Sequence, residues 1–199
     1  MKEIESKLNK VQKSRSLLEG QIESLKKKKQ DLEKHYRLLT SYGRSLECAV
    51  YEAFKFLGFK EISTKRSNDK EDWVFSFKNV SDFKYGVIEV KGANSRVDLN
   101  DLRQCDEWAW DYMEKNTVSK GIFIANQFRT ESYPNSKDKR CDFDHNHVKF
   151  AKNHEICILP SCVLFEIVIQ HLKSNNISRE HIEKVIANTN GILKELPLS

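Results

Sequence analysis

A chain of 199 residues has room for one domain of ordinary size plus an appendage, and such a domain buries a core without disulfide or metal staples. Five cysteines, an odd number without Cys-x-x-Cys spacing or a preceding apolar signal segment, imply reduced thiols in a cytoplasmic protein. The formal charge is +5, and the longest mostly apolar run, 157–169, is short and broken by Pro160 and Glu166, which excludes a membrane-spanning role.

The charge is unevenly placed. Residues 1–40 hold 11 Lys or Arg against 6 Asp or Glu, while the remaining residues balance at 23 of each. A basic arm on a neutral body suggests an acidic partner such as nucleic acid, because neutralising phosphates releases counterions; a solvated helix face accounts for the same run. In the arm, Ile4, Val11, Leu18, Leu25, Leu32 and Leu39 alternate at gaps of four and three with Leu8, Ile22 and Tyr36, and Arg15 and Lys29 fill the two remaining seam positions. That heptad pattern predicts a coiled-coil helix over 1–40, roughly 58 Å long at ~1.5 Å per residue. Its apolar stripe needs a partner. A second copy is the simplest, with another protein's coil or the body of this chain as alternatives, and Gly20 is a point where the helix could bend.

The body, 41–199, opens with a breaker at Thr40, Ser41 and Gly43, then a helix from about Arg44 to Leu57 closed by Gly58. Short strands are predicted at 59–63, 72–77 and 84–92, with a polar loop at 65–71 and a turn at 79–83, in an antiparallel meander. A helix from Leu99 to Met113 follows from the spacing of Leu99, Leu102, Asp106, Ala109 and Met113, with Asp106 its one polar member. A continuously apolar strand lies at 118–125, then a long charged loop at 128–144, a helix at about 146–153, a strand at 156–159, helices at 161–173 and 178–187, and a ragged tail.

The stretch 84–92, Lys-Tyr-Gly-Val-Ile-Glu-Val-Lys-Gly, carries the chemistry. Alternation along a strand puts Val87, Glu89 and Lys91 on one side and Ile88 and Val90 on the other. A carboxylate and an ammonium inside a buried strand each lose on the order of several kcal/mol of hydration unless they are paired, hydrogen-bonded or metal-bound. Asp72, seventeen residues earlier at the start of the neighbouring strand, can converge on the same sheet edge. Two carboxylates and a strand carbonyl are hard oxygen ligands suited to Mg²⁺, and a nearby lysine can orient a nucleophile: the requirements of phosphodiester hydrolysis. Cys141, His145, His147, His154, Cys157 and Cys162 crowd within 22 residues, but their spacing matches no standard pair of zinc-ligand hooks.

Over roughly 43–173 the sequence resembles the PD-(D/E)XK, or restriction-endonuclease-like, nuclease superfamily. The likeness rests on Leu46-Glu47 in a helix ending Leu57-Gly58-Phe59, then Asp72, Glu89-Val90-Lys91-Gly92, Gln104, and the strand Gly121-Ile122-Phe123-Ile124-Ala125-Asn126. The segments 148–151, 156–159 and Leu164-Phe165 look like the tail of restriction-type members. The resemblance implies an α/β fold with an αβββαβ core, its mixed central sheet flanked by helices, behind the N-terminal coiled-coil helix. It implies that Asp72, Glu89 and the Val90 carbonyl ligate Mg²⁺, with Mn²⁺ as a substitute, and that Lys91 is the catalytic lysine. Glu47 corresponds to a helical carboxylate that assists the metal through water, and Gln104 to a polar residue that positions phosphate or lysine. Glu71 stands where the family name has proline, and Asp69 and Glu71 compete for the role given to Asp72. The expected function is a metal-dependent endonuclease acting on DNA in restriction or anti-phage defence, as a homodimer or docked to a partner protein through the coiled coil. The alternative is a non-catalytic coiled-coil interaction protein whose body binds nucleic acid.

Overall fold

The computed structural model describes residues 1–60, 62–63, 72–113, 118–174 and 177–197. The predicted polar loop at 65–71, with Asp69 and Glu71, lies outside the described residues. The chain divides into two compact units, 1–34 and 35–199.

The first unit consists of helix α1, which runs Lys2–Thr40 and so continues into the second unit. Within 1–34 the seam positions Ile4, Leu8, Val11, Leu18, Ile22 and Leu25 are all more than half exposed. Exposed i,i+4 ion pairs line the surface, Lys7–Glu3 at 2.8 Å and Arg15–Glu19 at 2.9 Å; each adds a few tenths of a kcal/mol, about what such helix pairs contribute. No described helix is long and apolar enough to cross a membrane.

In the second unit α2 (Gly43–Phe56) precedes β1 (Ile62–Ser63), β2 (Trp73–Ser76), β3 (Tyr85–Gly92), α3 (Leu99–Met113) and β4 (Ser119–Asn126). Then come α4 (Lys137–Arg140), α5 (His145–Asn153), β5 (Cys157–Pro160), α6 (Ser161–Ser174), α7 (Arg179–Asn188) and β6 (Gly191–Ile192). The strands form one mixed sheet in the order β1-β2-β3-β4-β5-β6. The first three strands pair antiparallel, as a meander must, and β3 through β6 pair parallel. The parallel strands are linked by helices because a tight hairpin cannot return a chain to the same direction.

Alternation splits the strands between two cores. Ile88, Val90, Ile122, Ile124, Cys157 and Leu159 face α2 and α6 in the larger one. Phe123, Ala125 and Ile158 face Leu102 and Cys105 of α3 and Ala151 of α5 in the smaller. The base of α1 belongs to the larger core, where His35, Leu38 and Leu39 are buried and His35 packs on Phe56 at 5.0 Å.

Three expectations are corrected. The strand predicted from residue 59 begins at Ile62; Phe59 is buried beneath an aromatic cluster with Phe54 and Phe75, and its amide caps α2 by donating to Phe54 O. The long loop at 128–144 contains α4, whose Arg140 is fully buried although the segment reads as solvated. Arg140 spends its donors on the carbonyls of Leu39 and Glu131, the Ser136 hydroxyl and Asn126 Oδ1. The tail is not ragged: β6 adds a parallel edge to β5, and Leu193 and Leu196 are buried. Asp106, the polar member of the α3 stripe, is matched by His154, whose Nδ1 lies 2.7 Å from its carboxylate.

Candidate active site

The pairing of β2 with β3 builds the site. Trp73 is opposite Ile88 and Val74 opposite Val87, so the same antiparallel register carried back one residue sets Asp72 across from Glu89. Directly opposed residues project their side chains to the same face. Asp72 is fixed there because its Oδ2 accepts the Val90 amide at 2.7 Å. Trp73, on the other face, donates its indole N–H to the Glu47 carbonyl at 3.0 Å and stacks near Tyr51, which anchors the start of β2 on α2.

Glu89 is 3% exposed, on the α3 side of the sheet. Lys91, two residues on and on the same face, places Nζ 3.1 Å from Glu89 Oε1. Burial, then the nearby Asp72 charge, push the Glu89 carboxyl from its ordinary 4.5 to about 7, outweighing Lys91 and the Trp108 indole, which favour its charged form. Burial alone would lower the Lys91 ammonium; Glu89, Asp101 and Asp72 together overcome that and hold it above the ordinary lysine value.

Helix α3 closes the site from above. Asp101, Cys105 and Trp108 recur at gaps of four and three, so one face of the helix looks onto Glu89 and Lys91. Asp101 Oδ1 lies 3.9 Å from Lys91 Nζ while its Oδ2 accepts the Asp98 amide at 3.2 Å, the reciprocal capping that starts the helix. Neither Asp101 nor Trp108 was among the residues expected from sequence. Asp98-x-x-Asp101 was legible as a helix start, and only packing of that start against Lys91 gives the carboxylate a second partner.

The remaining predicted residues stand further out. Gln104 is half-buried on α3, one turn before Trp108, and no hydrogen bond among the described residues joins it to Asp72, Glu89 or Lys91. Glu47 is half-buried on α2, whose apolar side packs with Ile88 and Val90 on the opposite face of the sheet from Glu89; its backbone carbonyl accepts from the Trp73 indole at the start of β2. Thus Asp72, Glu89, the Val90 backbone and Lys91 converge, while Glu47 and Gln104 stand on α2 and α3, outside that group.

The Cys and His residues of 141–162 separate by role. His147 Nδ1 lies 2.8 Å from Asp144, His154 pairs with Asp106 and stacks on Phe150 at 4.0 Å, and Cys157 is buried in β5. Among the described residues no three His, Cys, Asp or Glu side chains gather as a ready-made metal cluster, and the β2–β3 site itself has two carboxylates.

Among solved structures, the chain is similar to restriction endonuclease FokI bound to DNA, with TM-score 0.57 and 13% identity over 80% of this chain and 29% of that one. The fold is restriction-endonuclease-like. A second structure of restriction endonuclease FokI matches with TM-score 0.51 and 14% identity, covering 79% of this chain and 30% of that one. The chain therefore spans about three-tenths of the length of the FokI chains it matches. No family model matches the sequence, and no curated protein matches it. At such identity the likeness carries the restriction-endonuclease-like fold and not its residues, so the site rests on the geometry above.

Proposed function

We propose that the protein is a metal-dependent nuclease that hydrolyses phosphodiester bonds of DNA, with Asp72, Glu89 and Lys91 as its working groups. The observation that carries this reading is the Asp72–Glu89 pair: two carboxylates set across one strand pair, one of them buried with its carboxyl raised to about 7 by burial and by the other. Two acids held together beside Lys91 are a set of oxygen donors whose charge a divalent cation would balance, and donors of this kind suit Mg²⁺, with Mn²⁺ as a substitute. Asp72 and Glu89, with the Val90 carbonyl, would hold the ion, which when bound supplies charge stabilisation at the phosphoryl oxygens and an acidified water.

The chain's own part is positioning. Asp72 is held by the Val90 amide, so its carboxylate is set before any ligand arrives. Lys91 sits at the mouth of the site, a third exposed, where its ammonium can donate to a phosphate oxygen or to the attacking water. Glu47 and Gln104 are assigned outer roles, in water-mediated support and in holding phosphate or lysine. The restriction-endonuclease-like fold, shared with a protein solved bound to DNA, makes DNA the first substrate to try. A role in restriction or anti-phage defence and a homodimer or partner complex through the arm belong to the same proposal.

The test is cleavage of supercoiled and linear DNA with Mg²⁺ or Mn²⁺ by wild type, Lys91→Ala and Asp72→Ala. Cutting by wild type alone is expected, with losses of at least ~10²-fold, the scale of removing one charge-stabilising group. Equal cutting by all three would remove these residues from the site. Failure of all three across several nucleic acids would favour a binding protein.

A further inference from the structure

Away from the β2–β3 site, two of the free cysteines meet. Cys141, the residue that ends α4, and Cys162, in the first turn of α6, have sulfurs 3.6 Å apart. They come from segments 21 residues apart in sequence and are held by different parts of the fold: Cys162 is fully buried in the larger core, and Cys141 is half-exposed at its edge. We propose that Cys141 and Cys162 are a peroxide-reactive pair, Cys141 the thiol that meets the oxidant and Cys162 the thiol that resolves it into a disulfide.

The two thiols are unequal in the way such a pair requires. Cys141 lines an open cleft with Lys137, Asp138, Asp142 and Lys194, so a small hydroperoxide can reach it. The hydrogen bond between the sulfurs, followed in the same direction by Lys137, holds Cys141 below the ordinary thiol value despite its partial burial. The same hydrogen bond, with burial and the Cys141 charge, holds Cys162 well above it, in line with Cys162 being fully buried and Cys141 being the sulfur at the cleft. Lys137 is itself fixed by Glu166, whose other contact is the Tyr133 hydroxyl at 2.6 Å. The thiolate is the reactive form, and it forms on the sulfur that solvent reaches.

The steps balance. The Cys141 thiolate, its proton released to solvent, attacks a peroxide oxygen; an S–O bond forms, the O–O bond breaks, and the leaving oxygen takes up a proton from solvent and departs as water or an alcohol, giving a sulfenic acid. Cys162 sulfur then attacks Cys141 sulfur; S–S forms, S–O breaks, and the hydroxyl leaves as water with the Cys162 proton. Two electrons pass from two thiols to one hydroperoxide. Forming the bond closes the sulfurs from 3.6 Å to about 2.0 Å.

The other cysteines provide internal controls. Cys105 and Cys157 are buried with their thiols raised, Cys157 to about 12, and should stay reduced, whereas Cys48 is exposed and is the competitor for oxidant. The experiment treats the reduced full-length chain with hydrogen peroxide, blocks free thiols after denaturation, and maps peptides without reduction. A Cys141–Cys162 linked peptide, reversed by dithiothreitol, is expected. Cys162→Ser should stop at a Cys141 sulfenic acid trapped by dimedone, and Cys141→Ser should leave Cys162 free. Oxidation confined to Cys48, or Cys141 and Cys162 both recovered as alkylated thiols, overturns the proposal; the wild-type map alone decides this if a variant does not fold.

Discussion

The position of Glu89 makes a prediction about stability that needs no substrate. A carboxyl raised from 4.5 to about 7 on folding corresponds, at ~1.4 kcal/mol per pH unit, to on the order of 3 kcal/mol. The folded state holds the proton more tightly than the unfolded state, so the favourable contribution is fully present below pH 4.5 and is lost as pH rises through about 7. Glu89→Gln removes this dependence and keeps the shape. Its offsetting cost is the lost Lys91 contact, at 3.1 Å, which for a lysine a third exposed and still facing Asp101 is below about 1 kcal/mol. In chelator-treated protein, urea unfolding should therefore find the variant about 2 kcal/mol more stable than wild type at pH 8 and no more stable at pH 4.5. A difference that is the same at both pH values, or a variant weaker at pH 8, would refute the placement of Glu89 as a buried, charge-strained acid. Adding Mg²⁺ at pH 8 should then stabilise wild type and leave the variant nearly unmoved.

Other changes test the scaffold and the arm. Glu183, fully buried on α7, accepts from the amides of Lys78 and Asn79, the Asn79 side chain and Arg179; Glu183→Ala should cost about 3–5 kcal/mol in denaturant unfolding by stranding them. A Cβ at Gly92 would lie 2.9 Å from Tyr42 Cα, a backbone atom that cannot turn aside, so Gly92→Ala should cost about 1–3 kcal/mol and disturb the strand that carries Lys91. Leu18 and Leu25 are exposed on α1; if the arm self-associates, replacing both by Asp should convert a concentration-dependent oligomer to monomer in sedimentation velocity while the body's unfolding transition stays in place.

Local patterns in the sequence carried a large part of this protein. The period of two in 84–92 put Glu89 and Lys91 on one face, and the three-four spacing of Leu99, Leu102, Asp106 and Ala109 marked α3 to its ends, because both signals lie within a single element. The apolar run at 121–125 announced a strand covered on both sides, and β4 is buried along its whole length. What lay beyond reach needed two elements at once. The two-residue β6 has no period to read and exists because the β5 edge offers its backbone to Gly191 and Ile192. Arg140 reads as a solvated charge until Leu39, Asn126 and Glu131 surround it with acceptors. The candidate site divides in the same way. Residue types and alternation named Asp72, Glu89 and Lys91, but a one-residue slip between β2 and β3 would have turned Asp72 to the far face, and register is a property of the pair of strands. Tertiary packing also supplied Asp101 and Trp108, and set Glu47 on the far side of the sheet and Gln104 apart from the acids, since a helix face is chosen only when there is a sheet for it to cover.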